Sequence, residues 1–244
     1  MNSIEQLFKD ANISWWNPAN EIDKRFWFFN KQLAFIGSSL KRLKEVGFAI
    51  TLDAGSGRGV HSKLLKLLEY RTVVSLDINA EMLRTTKNYA DTPCIQASLL
   101  KLPFANESFD VILSIGTSMH IPYAEIMLNE IHRALKSGGI AIISASNMFS
   151  LYTVWATRLN PILTKHQQLY HRRQFSYWYF KKLLRHAGFT ILDSRGFGVI
   201  PPLSLLPKWK VPIIPLFISR GLSALLDPFF AKRFGCALTF ILVK

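Results

Sequence analysis

Leu52-Asp53-Ala54-Gly55-Ser56-Gly57-Arg58-Gly59 is the stretch on which the reading turns. It closes a short apolar run, Ile50 to Ala54, and opens a segment where Leu64, Leu65, Leu67 and Leu68 recur on one helical face. Glycines between a strand and a helix let the backbone approach a ligand, and the helix start offers free N–H groups to something polar. A dinucleotide fingerprint wants Gly or Ala at position 60, where this chain has Val60, which disfavours a nicotinamide. The next apolar run, Val73 to Ile78, carries Asp77 near its end, where an acid in an open α/β crevice accepts the hydroxyls of a ribose. A tight turn with a helix-capping acid is the structural alternative.

Outward from the loop, short apolar runs alternate with helical periods, the pattern of successive βα units on a parallel sheet. A helix is expected near Glu81 to Tyr89, then strands at Cys94 to Ala97 and Phe109 to Ile115. Ile126, Met127, Ile131, Ala134 and Leu135 fall at helical spacing, and Lys136 before Gly138 and Gly139 reads as the end of that helix. A fifth strand follows from Ile140 to Ser146. Ser176 is the expected N-cap of a helix ending at Gly188, a sixth strand starts at Phe189, and Ala237 to Val243 is the last. Residues 1–45 read as a helical cap, 46–200 as the ligand-binding domain, 201–235 as an apolar and basic insertion, and 236–244 as the final strand.

Apolar residues make up 49% of the chain, too many for a disordered one, and the 244 residues suffice for one α/β domain with additions. The formal charge of +14 favours polyanionic partners, nucleic acid or acidic lipid headgroups. Met1 to Asp10 lacks the basic-then-apolar order of a secretory signal, so a cytoplasmic location is expected. Val211 to Ser219 and Gly221 to Leu226 are broken by Pro212, Pro215 and Arg220, short of the roughly 20 apolar residues that span a bilayer. Cys94 and Cys236 have no metal-ligand spacing and are expected to be reduced core thiols.

The glycine loop and Asp77, together with Leu102-Pro103-Phe104, Ser108-Phe109-Asp110-Val111 and Glu130-Ile131-x-Arg133-x-Leu135-Lys136-x-Gly138-Gly139, resemble the class I methyltransferases. The likeness is to the large group that includes the ubiquinone-pathway O-methyltransferases, and it covers about residues 45–200. It implies a Rossmann-like, doubly wound α/β sheet of seven strands in the order 3-2-1-4-5-7-6, the last antiparallel. It implies S-adenosylmethionine as cofactor and no metal. Asp53, Gly55, Gly57 and Gly59 would surround the methionine portion and Asp77 would bind the ribose. Ser98 stands where the family often has an Asp for adenine, and Leu99 can supply a backbone N–H to the ring. Ser56, Ile78 and Ser114 complete the expected cofactor set.

The resemblance also supplies acceptor-side expectations. A hydroxyl acceptor is helped by a general base, and His is the usual one near neutral pH. His120, after strand four, and His171, before the strand-six helix, are the candidates, each with surface packing as its alternative. Asn147 and Trp15-Trp16-Asn17-Pro18 resemble elements of the quinone enzymes, with a helix-packing plug as the alternative for the two tryptophans. Apolar residues flanked by Lys208, Lys210, Arg220, Lys232 and Arg233 fit a membrane-interface segment, a greasy acceptor tunnel or a plain cover over the sheet. The expected function is therefore methylation of a small lipophilic acceptor, O-methylation of a quinone, phenol or lipid-linked intermediate, with peripheral membrane contact through 201–235. An RNA methyltransferase and a cofactor-binding protein without transferase activity are the alternatives; no RNA-binding module is recognisable.

Overall fold

Strand β1, Ile50–Ala54, is buried along nearly its whole length, as a strand with helices on both faces must be. The computed structural model describes residues 27–45, 47–154, 173–199 and 216–244. Helix α1, Trp27–Glu45, precedes β1, and α2, Val60–Leu67, follows it. Then come β2, Thr72–Asp77, α3, Ala80–Ala90, β3, Cys94–Gln96, and β4, Phe109–Ser114. A 3₁₀ turn, Ser118–His120, leads to α4, Ala124–Ala134, and β5, Leu135–Ser146. The described chain continues with α5, Leu151–Val154, α6, Tyr177–His186, β6, Thr190–Phe197, α7, Leu216–Phe234, and β7, Ala237–Val243.

The seven strands form one sheet in the order β3-β2-β1-β4-β5-β7-β6. β7 runs antiparallel to both neighbours, pairing Ser146 with Ala237 on one side and Phe197 with Ala237 on the other. One apolar core lies between the sheet and α4 and α6, through Met127, Ile131, Phe180 and Leu184. The other lies beneath α1 and α2, through Leu33, Ile36, Leu40, Leu64 and Leu65. Helix α1 is thus a layer on the sheet, tied there by Gln32 Nε2 donating to Thr239 Oγ1 at 2.8 Å. The remainder of the expected cap, 1–26 with Trp15 and Trp16, lies outside the described residues.

Three local expectations are corrected. Helix α4 stops at Ala134, and Leu135 is already extended, so Lys136, Gly138 and Gly139 belong to β5 rather than to a helix end. The cause is remote in sequence: the Asp110 carboxylate accepts the N–H groups of Ala49 and Ile50 and pairs with Lys136 Nζ at 2.7 Å, drawing this segment to β4. Leu67 is exposed, so it lies off the apolar face of α2 assigned to it, and Ile126 keeps the helical spacing of α4 but is exposed as well. Cys94 and Cys236 form no disulfide, as expected, though they are half-buried rather than fully interior.

The Glu130 and Arg133 pair has a clear structural task. Glu130 Oε2 accepts the N–H of Leu102 at 2.7 Å, while the Arg133 guanidinium donates to the carbonyls of Phe104 and Leu102, at 2.8 and 3.1 Å, and to Glu130. One charged pair thereby fixes the Leu102-Pro103-Phe104 turn on α4. Arg133→Ala is expected to lower the unfolding free energy by about 2 kcal/mol, since it strands carbonyls and a carboxylate. Urea denaturation checks this, with Arg133→Lys expected to rescue little because an ammonium lacks the planar fork.

Candidate functional site

The glycine loop is fastened to the end of the neighbouring strand. Leu76 C=O accepts the N–H of Gly55 at 2.7 Å and of Ser56 at 2.9 Å, and Asp77 Oδ2 accepts the N–H of Gly57 at 2.9 Å. Asp77 Oδ1 accepts the N–H of Asn79 at 2.9 Å, and Asn79 caps α3 by accepting from Glu81 and Met82. Two of the glycines answer to packing. A Cβ on Gly55 would sit 2.5 Å from Thr117 Oγ1, and one on Gly59 would sit 2.9 Å from Thr86 Cγ2. Gly57, at φ +54, faces nothing within 4 Å, so a ligand can approach its backbone there.

Asp53 is buried beneath the loop. Its Oδ2 accepts the Ser62 hydroxyl at 2.6 Å, the first link of a chain that continues to Ser75 at 2.7 Å and Thr92 at 2.6 Å. Burial pushes its carboxyl up to about 6, against the lowering effect of Ser62, with the charge of Asp77 adding a smaller rise. Among the described residues, the buried side-chain atoms without a hydrogen-bond partner are Asp53 Oδ1, Ser56 Oγ and Ser114 Oγ. They sit at the carboxyl ends of β1 and β4 and in the loop between β1 and α2. A buried polar atom left unpaired costs about 1–3 kcal/mol, and a cluster at one sheet edge asks for an explanation.

The other expected residues gather at the same edge. Ile78 is exposed, and the Ala97 N–H donating to Asp77 C=O at 3.1 Å brings Ser98 and Leu99 beside Asp77. Ser98 Oγ accepts the N–H of Leu100 at 3.2 Å. His120 ends the 3₁₀ turn and is exposed, with its N–H on Thr117 C=O at 2.9 Å. His171 lies outside the described residues. Asn147 is buried, and its side chain donates to Arg233 C=O at 2.8 Å and Gly235 C=O at 3.0 Å, a tie between β5 and the end of α7.

Sequence reading missed Thr86, Thr117 and Asn79. Thr86 donates to Gly57 C=O at 2.8 Å, and Thr117 packs on Gly55; neither has a local signature. Asn79 had one, an Asn ahead of a helical period. Beside His120, the segment leading to α6 joins the 3₁₀ turn through the Arg173 N–H donating to Met119 C=O at 2.8 Å. Met148, Phe149, Leu151, Trp178 and Tyr179 are exposed around that junction, with the Phe149 and Trp178 rings 6.5 Å apart. Among the described residues, no group of three or more His, Cys, Asp or Glu could hold a metal ion.

Residues 52–143 match the family model of the methyltransferase domain. A probable S-adenosylmethionine-dependent methyltransferase of Mycolicibacterium smegmatis is 27% identical over 146 residues, 59% of this chain and 53% of the relative. The fatty-acid O-methyltransferase of the same organism is 31% identical over 102 residues, 41% of this chain and 35% of that one. This chain spans about half the length of the first curated relatives it matches. Among solved structures, a SAM-dependent methyltransferase of Thermotoga maritima covers 100% of both chains with a TM-score of 0.60 at 15% identity, which shows a shared fold.

The buried Asp53 gives a prediction with a definite sign. Its folded pKa, about 6, lies above the ordinary 3.8, so its contribution to stability is complete below pH 3.8 and is lost as pH rises through about 6. Asp53→Asn should therefore stabilise the ligand-free protein above pH 6, by on the order of 3 kcal/mol, with the gain fading toward pH 3.8. Thermal unfolding across that range checks it. A gain that does not depend on pH would contradict the assignment.

Proposed function

From a chain that carries a class I S-adenosylmethionine-dependent methyltransferase domain, we propose that the protein transfers the methyl group of S-adenosylmethionine to an oxygen of a small lipophilic acceptor. The observation that carries the cofactor half is the strapped glycine loop with Asp77 at its mouth. Each Asp77 oxygen accepts one backbone N–H and keeps a second lone pair, so the carboxylate can still receive two vicinal ribose hydroxyls. The open side of Gly57 would admit the methionine portion, Ser98 and Leu99 would meet the adenine, and the Ser56 and Ser114 hydroxyls would gain partners. Asp53 lies beneath, where a nearby ammonium group would favour its charged form.

S-adenosylmethionine, when bound, supplies a methyl group on a sulfonium, an electrophile that needs neither metal nor protein nucleophile. The residues of the chain have three tasks: to hold that group, to align an acceptor oxygen in line with it, and to take up the acceptor's proton. His120 is the proposed proton acceptor. It is exposed at the carboxyl end of β4, on the turn whose Met119 receives the Arg173 N–H. An apolar acceptor is supported by the exposed Met148, Phe149, Leu151, Trp178 and Tyr179 around that turn, and oxygen by the likeness to a fatty-acid O-methyltransferase.

The test is transfer of label from methyl-tritiated S-adenosylmethionine into organic extracts of reactions with phenolic and carboxylic-acid lipids. Label in the extract is expected, with His120→Gln lowering kcat on a phenol about a hundredfold and leaving cofactor affinity unchanged. An unaltered kcat removes His120 from the role of base. Label appearing only in added tRNA would replace the lipophilic acceptor by RNA, and no label in any acceptor would reduce the chain to a binding protein.

A further inference from the structure

Helix α7 is turned inside out. Its inward positions are small or polar: Ser223 and Ala231 are buried, and Asp227 Oδ1 accepts the Val199 N–H at 3.0 Å and the Ser223 hydroxyl at 2.7 Å. Asp227 Oδ2 also pairs with Lys31 of α1 at 3.3 Å. At Gly196 the helix backbone lies so close that a Cβ would meet the Ala231 carbonyl. The outward positions are the large apolar ones. Ile218, Leu222, Leu225 and Phe229 follow one another at i, i+4, i+7 and i+11, a single stripe, and all four are exposed together with Phe217. Phe217 and Phe229 are 75% and 76% accessible, values for residues that ordinary folding would have placed inside.

A contiguous apolar face of this kind marks an interaction surface. Charge decides what it meets. Lys232 and Arg233 stand in the last turn of α7, and Lys232 shares with Lys181 and Arg185 of α6 an open cleft of about 380 Å³ beside the first half of β6. Asp193, the acid of that cleft, is paired with Arg195 at 3.5 Å. At a net charge of +14 two copies of the chain repel, whereas an anionic surface attracts it. Apolar side chains that can enter the acyl boundary, edged by cations, are the composition of a helix that lies in a membrane interface. No described helix is long and apolar enough to cross one.

We propose that α7 is an interfacial anchor: its Phe217, Leu225 and Phe229 face enters the surface of an anionic bilayer while Lys181, Arg185 and Lys232 hold lipid phosphates. The helix also positions the acceptor edge. Asp227 is level with Val199, beyond the end of β6, and Ala231 with Gly196, so the first half of α7 extends past the carboxyl edge of the sheet. Its end is tied to that edge by Asn147. The exposed apolar rim of Met148, Phe149 and Trp178 adjoins the same edge, so a lipophilic molecule could pass from the bilayer to the crevice; this consequence rests on the methyl-transfer reading, and the docking itself does not.

The experiment is cosedimentation of the full chain with vesicles of phosphatidylcholine alone and of phosphatidylcholine mixed with phosphatidylglycerol. Binding to the mixed vesicles is expected, weakening with salt, and lost in a Phe217→Ser, Leu225→Ser, Phe229→Ser triple variant. Lys181→Ala, Arg185→Ala and Lys232→Ala should each weaken it about fivefold. Circular dichroism and cooperative thermal unfolding show that the variants are folded, and S-adenosylhomocysteine binding by the wild type is measured separately by calorimetry. Absence of vesicle binding by the wild type overturns the proposal, as does a triple variant that binds vesicles fully. Self-association in sedimentation velocity that the triple variant abolishes, without vesicle binding, makes the face a contact between copies and also overturns it. Vesicle binding with no affinity for S-adenosylhomocysteine would leave the anchor standing and remove the methyl-transfer reading.

Discussion

The carbonyl oxygen of Leu76 receives two backbone N–H groups, from Gly55 and Ser56, and the adjacent carboxylate of Asp77 receives a third from Gly57. Those three bonds hold an irregular loop at the end of a parallel sheet, where its N–H groups would otherwise point into a crevice without direction. They require the loop to hug β2, which in turn requires Gly55 and Gly59, since side chains there would meet Thr117 and Thr86. The same constraint frees Gly57 to face open space and leaves Asp77 at the mouth with acceptor capacity in hand. Placement of the other described candidates, from Ser98 to His120, follows from strands that end at this edge.

Burial of Asp53 is the second constraint. A carboxyl sealed beneath the loop with one oxygen unpaired weakens the ligand-free fold at neutral pH, and the Ser62, Ser75 and Thr92 chain relieves only part of that. Sites that trade stability for a ligand's interactions carry such groups. On the cofactor reading proposed above, an ammonium group beside Asp53 would offset that cost.

Much of this architecture is legible in the sequence, for a physical reason. The strands of this sheet are short, mostly apolar runs, so β1 and β7 have the expected bounds, β3 and β4 end one residue early, and β2 is shifted by one residue toward the N-terminus. The strand order came from the family resemblance, because local spacing says nothing of which strands are neighbours. The start of β5 was illegible: Lys136 with two glycines reads as a helix end, and the partners that hold it extended, Phe109, Asp110 and Lys244, are remote in sequence. The glycine turn after β1, Asp77 at the end of β2 and the N-cap at Ser176 were readable as local structure. Thr86 and Thr117 were not, since their importance lies in what they exclude at Gly59 and Gly55. Composition showed that 201–235 is apolar and basic, but a period alone does not tell which side of α7 faces the sheet.

The direct test of the account is calorimetric titration of S-adenosylhomocysteine into the wild type, Asp77→Asn and Asp77→Ala. The wild type should bind at one site, with affinity reduced at least about tenfold in Asp77→Ala, a difference of about 1.4 kcal/mol, and less in Asp77→Asn, which keeps an acceptor oxygen. A wild type that does not bind, or an alanine variant that binds equally well, would contradict the assignment of the crevice between β1 and β2 as the cofactor site.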